Sequence, residues 1–322
     1  MVAREEVLRL RDQVSRSIIG QADMVDSLVM GLLADGNLLV EGLPGLAKTR
    51  AVKALARNLE ADLSRIQFTP DLLPADVTGT DIYYSTEQGG EFRYQQGPIF
   101  SNIVLADEVN RAPAKVQSAL LEAMEERQVT VGGTTHPLPK LFMVMATQNP
   151  IEQEGTYPLP EAQMDRFMMH VQVDYPDDAA EAEVIELVRG EKKQNATAEA
   201  LPPVAQSAVF EARAEIDAVE ISAPIVQYIV DLVFATRYPE RYDEELSGWL
   251  ALGASPRAGI HLDRCARAHA WLDARTYTTP DDVRAVLHPI LRHRVALSYE
   301  ASAESVSANQ VIDGIVQRVA VP

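Results

Sequence analysis

The apolar run Leu38-Leu-Val40 leads into Gly42-Leu-Pro-Gly-Leu-Ala-Lys48-Thr49. The turn opens onto Lys48–Leu59, where Val52, Leu55 and Leu59 fall on one helical face. A buried strand joined to an amphipathic helix by a glycine-rich turn constrains the chain strongly. It calls for further parallel strands beside the first and for helices over both faces of the sheet. Such a turn aims backbone N–H groups at an anion, helped by the helix dipole. Lys48 would reach the β and γ phosphates of a nucleotide, and the Thr49 hydroxyl would bind Mg²⁺. Gly42, Leu43, Pro44, Gly45, Leu46, Ala47, Lys48, Thr49 and the adjoining Arg50 are therefore the candidate nucleotide contacts. Ala47 stands where such loops carry glycine; read as a position entering the helix, it suits alanine.

Four more runs read as strands: Leu63–Phe68, Ile103–Ala106, Phe142–Ala146 and His170–Val173. Pro113–Glu126, with Val116, Leu120 and Met124 aligned, reads as a helix with proline in its first turn. The expectation is an α/β domain over residues 1–176. Beyond Tyr175-Pro176 the pattern turns wholly helical, giving a second, smaller domain over 177–322. There Gly190–Pro203 reads as a polar connection, and Ser222 precedes a helix over Ala223–Arg237. Ser255-Pro256 precedes Arg257–Ala274, and Thr279 caps Pro280–Ala296 with Asp282 in a capping-box position. Two hairpins interrupt the first domain. Gln128–His136 turns at Gly132-Gly133, and Asp81–Tyr94 turns at Gln88–Gly90.

The strand ends carry the remaining chemistry. Ile103-Val-Leu-Ala runs into Asp107-Glu108, a pair that is costly unless it meets a cation at the sheet's carboxyl edge. Asp107 suits the metal, and Glu108 suits orienting or deprotonating a water. Asn149, closing Phe142–Asn149, could hold that water or the γ phosphate, though a plain Asn-Pro turn reads equally well. Arg166 precedes the last strand, where it could project from the domain edge toward a neighbouring site. Arg257, beginning a helix of the second domain, could couple nucleotide state to the angle between domains.

Acids outnumber bases 47 to 29, for a net charge of −18, and no Lys/Arg cluster stands in the sequence. Nucleic acid is accordingly a poor partner unless folding assembles a basic patch. Base-poor hairpins point the same way, toward contacts with protein. No apolar run reaches the length of a membrane span, and the amino terminus mixes acids and bases unlike a secretory signal. The single cysteine, Cys265, reads as a buried small hydrophobe, and the expected setting is the cytoplasm. His288 and His293, five apart in a helical pattern, read as surface or partly buried rather than metal ligands.

Taken in order, these features resemble the AAA+ ATPases, and within them the MoxR family. The resemblance runs from Ile18-Ile-Gly-Gln21 to about His293. It is strongest at Leu105–Gln117, at Ala146–Gln163 and at Gly253-Ala-Ser-Pro-Arg257-Ala258. It implies a P-loop parallel sheet flanked by helices, with two β-hairpin insertions and a small all-helical lid. It also implies Walker A at Gly42–Thr49, Walker B at Asp107 and Glu108, sensor 1 at Asn149, an arginine finger at Arg166 and sensor 2 at Arg257. Ile19 and Gly20 would lie near the adenine, with Thr49 and Asp107 serving Mg²⁺. The hairpins resemble insertions of the AAA+ branch that also holds magnesium chelatase and the minichromosome maintenance helicases. The implied protein is a hexameric, ATP-hydrolysing, chaperone-like motor that remodels, matures or inserts metal cofactors into protein clients beside a von Willebrand factor A-domain partner. The alternatives within that branch are a nucleic-acid motor and a metal-chelatase motor subunit; a nucleotide-switched scaffold is a third reading.

Overall fold

A computed structural model describes residues 2–43, 45–86, 89–149, 156–193 and 201–322. Two helices, α1 (Val2–Ser15) and α2 (Ala22–Leu33), precede the first strand, β1 (Leu38–Gly42). The chain continues through α3 (Lys48–Asn58), β2 (Leu63–Gln67) and α4 (Pro74–Thr78). A hairpin of β3 (Gly79–Thr86) and β4 (Gly89–Gln96) follows, then β5 (Ile103–Asp107) and α5 (Ala114–Glu126). A second hairpin, β6 (Gln128–Val131) with β7 (Thr134–Pro137), leads to β8 (Met143–Gln148), α6 (Glu161–Met164) and β9 (Met169–Val173).

Five of these strands form one parallel sheet in the order β2-β5-β8-β1-β9. Alternation along each strand sends side chains to two covered faces. Leu38, Val40, Ile103, Leu105, Met143 and Met145 pack with α1, α2 and α3. Leu39, Val104, Ala106, Val144 and Ala146 pack with α4 and α5. In chain order β2, β5 and β8 extend to one side of β1, whereas β9 adds on the other. The crevice beyond the carboxyl end of β1 is therefore the topological switch point, where ligands bind in such sheets.

The second region comprises α7 (Asp178–Lys193), α8 (Gln206–Asp217), α9 (Ala223–Arg237), α10 (Glu244–Trp249), β10 (Leu250–Leu252), α11 (Pro256–Leu272) and α12 (Pro280–Leu291). It closes with β11 (Ala296–Leu297), α13 (Tyr299–Ala303) and α14 (Ala308–Arg318). Among its described residues the strands are those of the short antiparallel ribbon of β10 and β11, and the longer elements are helices. Helix α8 lies on α1, so one hydrophobic cluster runs from the first helix into the lid.

Several sequence expectations need correction. The helix expected over Pro280–Ala296 stops at Leu291, just after Pro289, and residues beyond it turn to pair through Ala296 with β10. His293 is thus outside any helix, and it is buried, with its Nε2 3.1 Å from the Phe167 carbonyl. Gly190–Lys193 belongs to α7 rather than to a connection; residues 194–200 lie outside the described residues, as do Gln88 of the first hairpin turn and Pro44. Val204, just past that stretch, bridges to Leu59 at the end of α3 and so docks on the first domain. Cys265 is fully buried, and burial pushes its thiol up to about 12.

Candidate functional site

The loop between β1 and α3 is shaped by two close approaches. Gly42 lies so near β9 that a Cβ there would sit 2.6 Å from the Val173 carbonyl oxygen, and Gly45 has φ +86°. Ala47 also has a left-handed backbone, φ 59° and ψ 10°, immediately before the helix. The expectation that it enters the helix comfortably is therefore wrong. A left-handed alanine costs about 1–2 kcal/mol, which the surrounding turn must hold in place. Lys48 folds back so that its ammonium donates to the Gly42 carbonyl at 2.5 Å. Burial lowers the Lys48 pKa, opposed by the charges of Asp107, Glu108 and Glu41.

Gly45, Leu46, Ala47, Lys48, Thr49, Arg50, Asp107, Glu108 and Asn149 line one cleft of about 380 Å³ at the strand ends. Three segments distant in sequence thus converge where the topology reverses. Arg65 and Thr147 complete the lining. Thr147, on β8, donates its hydroxyl to Asp107 Oδ1 at 2.7 Å and accepts from the Glu108 N–H at 2.9 Å. Arg65, on β2, ion-pairs with Asp107 at 2.7 Å. Glu108 is held by the Gln67 amide at 2.8 Å and by Arg111 at 3.0 Å. Its backbone is left-handed too, φ 57° and ψ 50°, which turns it out of the line of β5. Strain of this kind concentrates at functional sites. Thr49 and Asp107 supply hydroxyl and carboxylate oxygens to the same cleft, the hard donors Mg²⁺ takes, so the residues fit that ion.

Sequence reading missed Arg65, Gln67 and the bridging role of Thr147. Arg65 and Gln67 alternate along β2 with side chains on the same face, and only the pairing Gln67↔Asp107 brings them to the acids.

Ile19 and Gly20 do not line this cleft. Gly20, at φ +75°, packs against Pro176 and Ala180 where the chain leaves the sheet. The Arg50 guanidinium donates to the Ser17 carbonyl at 2.7 Å, tying this turn to α3.

The two remaining candidates are absent from the cleft. Arg166 pairs with Glu125 of α5 at 3.1 Å, and Arg257 pairs with the same carboxylate. Arg257 also reaches Asp165 at 3.2 Å. Asp165 is a meeting point for the lid: Ser255 donates to it at 2.8 Å, and the wholly buried Arg294 at 2.9 Å. Burial draws the Asp165 carboxyl upward, but the Ser255 hydroxyl and the Arg294 charge outweigh it and leave the pKa below the usual carboxylate range. Burial likewise pulls Arg294 down to about 10, against Asp165. The sequence thus separates into a cleft that collects phosphate-binding groups and an edge that presents two arginines elsewhere.

A switch-point loop with a lysine, two acids on the next-but-one strand and a helical lid joined through arginines define an AAA+ ATPase. Residues 37–169 match the family described as "ATPase family associated with various cellular activities (AAA)", and residues 247–315 match the AAA lid domain. The chain is 46% identical over 317 residues to Chaperone MoxR1 of Mycobacterium tuberculosis, covering 96% of this chain and 81% of that one. It is 33% identical over 325 residues to Protein MoxR of Paracoccus denitrificans, covering 95% and 93%. A solved structure of a candidate ATPase from Cytophaga hutchinsonii superposes with a TM-score of 0.91 at 47% identity, covering 100% of this chain and 96% of that one. The chain belongs to the MoxR family of AAA+ ATPases.

Proposed function

We propose that the cleft binds ATP with Mg²⁺ and hydrolyses it once an arginine arrives from an adjoining copy, and that the cycle drives remodelling of protein clients. The observation that carries this reading is the division of labour among the charged groups. Lys48, Thr49, Asp107, Glu108 and Asn149 share one cleft, while Arg166 and Arg257 share Glu125 away from it.

In this mechanism the loop amides and the Lys48 ammonium bind the polyphosphate and offset its charge. Mg²⁺ on Thr49 and Asp107 would neutralise charge developing between the β and γ phosphates. Glu108 must exchange its contacts with Gln67 and Arg111 for the attacking water, whose proton it accepts. Asn149, buried beside Thr147, orients that water or the γ phosphate. Arg166 of an adjoining subunit meets the charge at the γ phosphate, a contribution of about 10³–10⁵ in rate for such arginines. Arg257 travels with it through Glu125 and Asp165, and so acts on the neighbour's nucleotide rather than its own. Ile19 and Gly20 border the adenine.

Protein clients are inferred from the likeness to the mycobacterial relative, a chaperone. A hexameric ring, a von Willebrand factor A-domain partner, metal-cofactor insertion and a cytoplasmic setting belong to the same proposal by family resemblance; no described helix is long and apolar enough to cross a membrane. Replacing Glu108 by Gln tests the reading. The variant should bind ATP with near-native affinity in calorimetry and hydrolyse it about 10²–10⁴-fold more slowly. Lys48→Ala should lose binding itself. Normal turnover by the first or unchanged affinity in the second refutes the assignment.

A further inference from the structure

Glu41 is an acid at the end of an apolar strand, one residue before the phosphate loop begins. Alternation along β1 puts it on the face of Leu39, which is wholly buried. Register sets it between Gln148 of β8 and Gln172 of β9. A partly buried carboxylate needs donors, and both neighbouring strands supply one. The Glu41 Oε2 lies 2.7 Å from Nε2 of His170 on β9, and the Gln148 side chain bonds the same carboxylate. The hydrogen bond from His170 brings the Glu41 pKa below the usual carboxylate range. Burial opposes it, while Gln148 and the Lys48 ammonium act in the same direction.

Each donor is itself fixed. His170 is buried, and its ring meets that of His293 edge-on with centroids 5.9 Å apart. His293 comes from the helical second region, where burial pushes its pKa well down and keeps it neutral. Gln148 immediately precedes Asn149, a buried residue that lines the phosphate cleft. On the other side of Glu41, Gly42 lies close against β9 and accepts the Lys48 ammonium on its carbonyl. One carboxylate thus ties the root of the phosphate loop to the strand end that carries Asn149 and to β9 beneath the lid. Glu41 does not itself line the cleft.

We propose that Glu41, held by His170, is a positioning residue for ATP hydrolysis. It fixes the phosphate loop and Asn149 relative to each other across β1 and β8, and it acts on turnover rather than on binding. This rests on the reading that the cleft hydrolyses ATP. A misplacement of about 1 Å among reacting groups can slow chemistry by about 10²-fold. Binding is spared, because the loop amides and Lys48 remain and the lost carboxylate is one that repels a polyphosphate. A pair that only satisfied its own hydrogen bonds would contribute to stability and leave the rate of the folded protein unchanged.

The test is a short series read for kcat and for affinity toward a non-hydrolysable ATP analogue. Glu41→Ala should lower kcat at least about tenfold while its affinity stays within about threefold of wild type. Glu41→Gln keeps an oxygen acceptor for His170 and should hold kcat within about threefold of wild type. His170→Ala should repeat the loss. Both residues act through one contact, so Glu41→Ala/His170→Ala should be at most about twofold slower than the slower single variant, where independent effects would multiply. Melting curves show that each variant is folded. Glu41→Met, which keeps volume without the acceptor, replaces Glu41→Ala if that variant is not. The proposal is overturned by wild-type kcat in folded Glu41→Ala, or by Glu41→Gln as slow as Glu41→Ala. Affinity that falls as far as kcat, or losses that multiply in the double variant, also overturn it. A wild type that binds ATP yet releases no phosphate overturns the hydrolysis reading and this proposal with it. An active wild type matched by Glu41→Ala, with Glu108→Gln inactive, overturns this proposal alone.

Discussion

Asp107 and Asp165 have nearly the same partners. Each accepts from a hydroxyl, Thr147 or Ser255, and each ion-pairs with arginine. The two carboxylates are about equally sheltered, and the difference is in the water around their arginines. Arg65, against Asp107, keeps 49% of its side chain exposed, whereas Arg294, against Asp165, has 0%. In the cleft an arriving metal or phosphate can displace a hydrated guanidinium at small cost. At the domain joint, Arg294 also bonds the carbonyls of Asp165, Phe167, Met168 and Ile290, and nothing can replace it. The same chemistry makes an exchangeable site in one place and a fixed hinge in the other.

The sharpest way to break this comparison is to truncate both acids. Asp165→Ala strands a buried guanidinium and should lose about 3–5 kcal/mol of unfolding free energy in denaturant titration. Asp107→Ala should lose less, about 1–3 kcal/mol, because Arg65 rehydrates and only the buried Thr147 hydroxyl is left without its acceptor. Equal losses would erase the distinction. The sign of pH dependence sharpens it further. The pKa of Asp165 is depressed in the folded state, so its contribution is present above the ordinary carboxylate value near pH 4 and is lost as pH falls through the lower folded value. Asp165→Asn should flatten the acid limb of a stability–pH curve, and an unaltered limb would contradict the assignment.

Backbone strain belongs to the cleft side of the contrast. Ala47→Gly relieves about 1–2 kcal/mol of left-handed cost and returns about 0.5–1 kcal/mol through unfolded-state entropy. A net gain of about 0.5–1 kcal/mol in thermal melts is expected, and a loss would mean that the turn does not strain alanine. The smallest effect is that of Arg65→Ala. Its half-exposed pair with Asp107 should be worth less than about 1 kcal/mol, measured as a shift in denaturation midpoint.

Much of this was open to reading along the chain. The five strands, the loop, the acid pair at Asp107-Glu108 and the caps at Ser255 and Thr279 are local signals, because a strand, a glycine turn or a cap is made by neighbours in sequence. Arg65 and Gln67 were not legible. They sit on a strand whose register against β5 alone carries them to Asp107 and Glu108. The long C-terminal helix expected from periodicity failed at Pro289, where tertiary pairing with β10 outcompeted helix propensity. The missing basic cluster was a matter of assembly. Arg16 and Lys53 are far apart in sequence, and the packing of α1 on α3 makes them one groove.

Local patterning thus determined which segments become strands and helices and which residue types stand at their ends, since periodicity and turn chemistry act over a few residues. The tertiary structure decided which charged ends meet, which backbones are held in the left-handed region and which arginine is sealed from water. Those outcomes depend on register, packing and desolvation between segments that the linear order keeps apart.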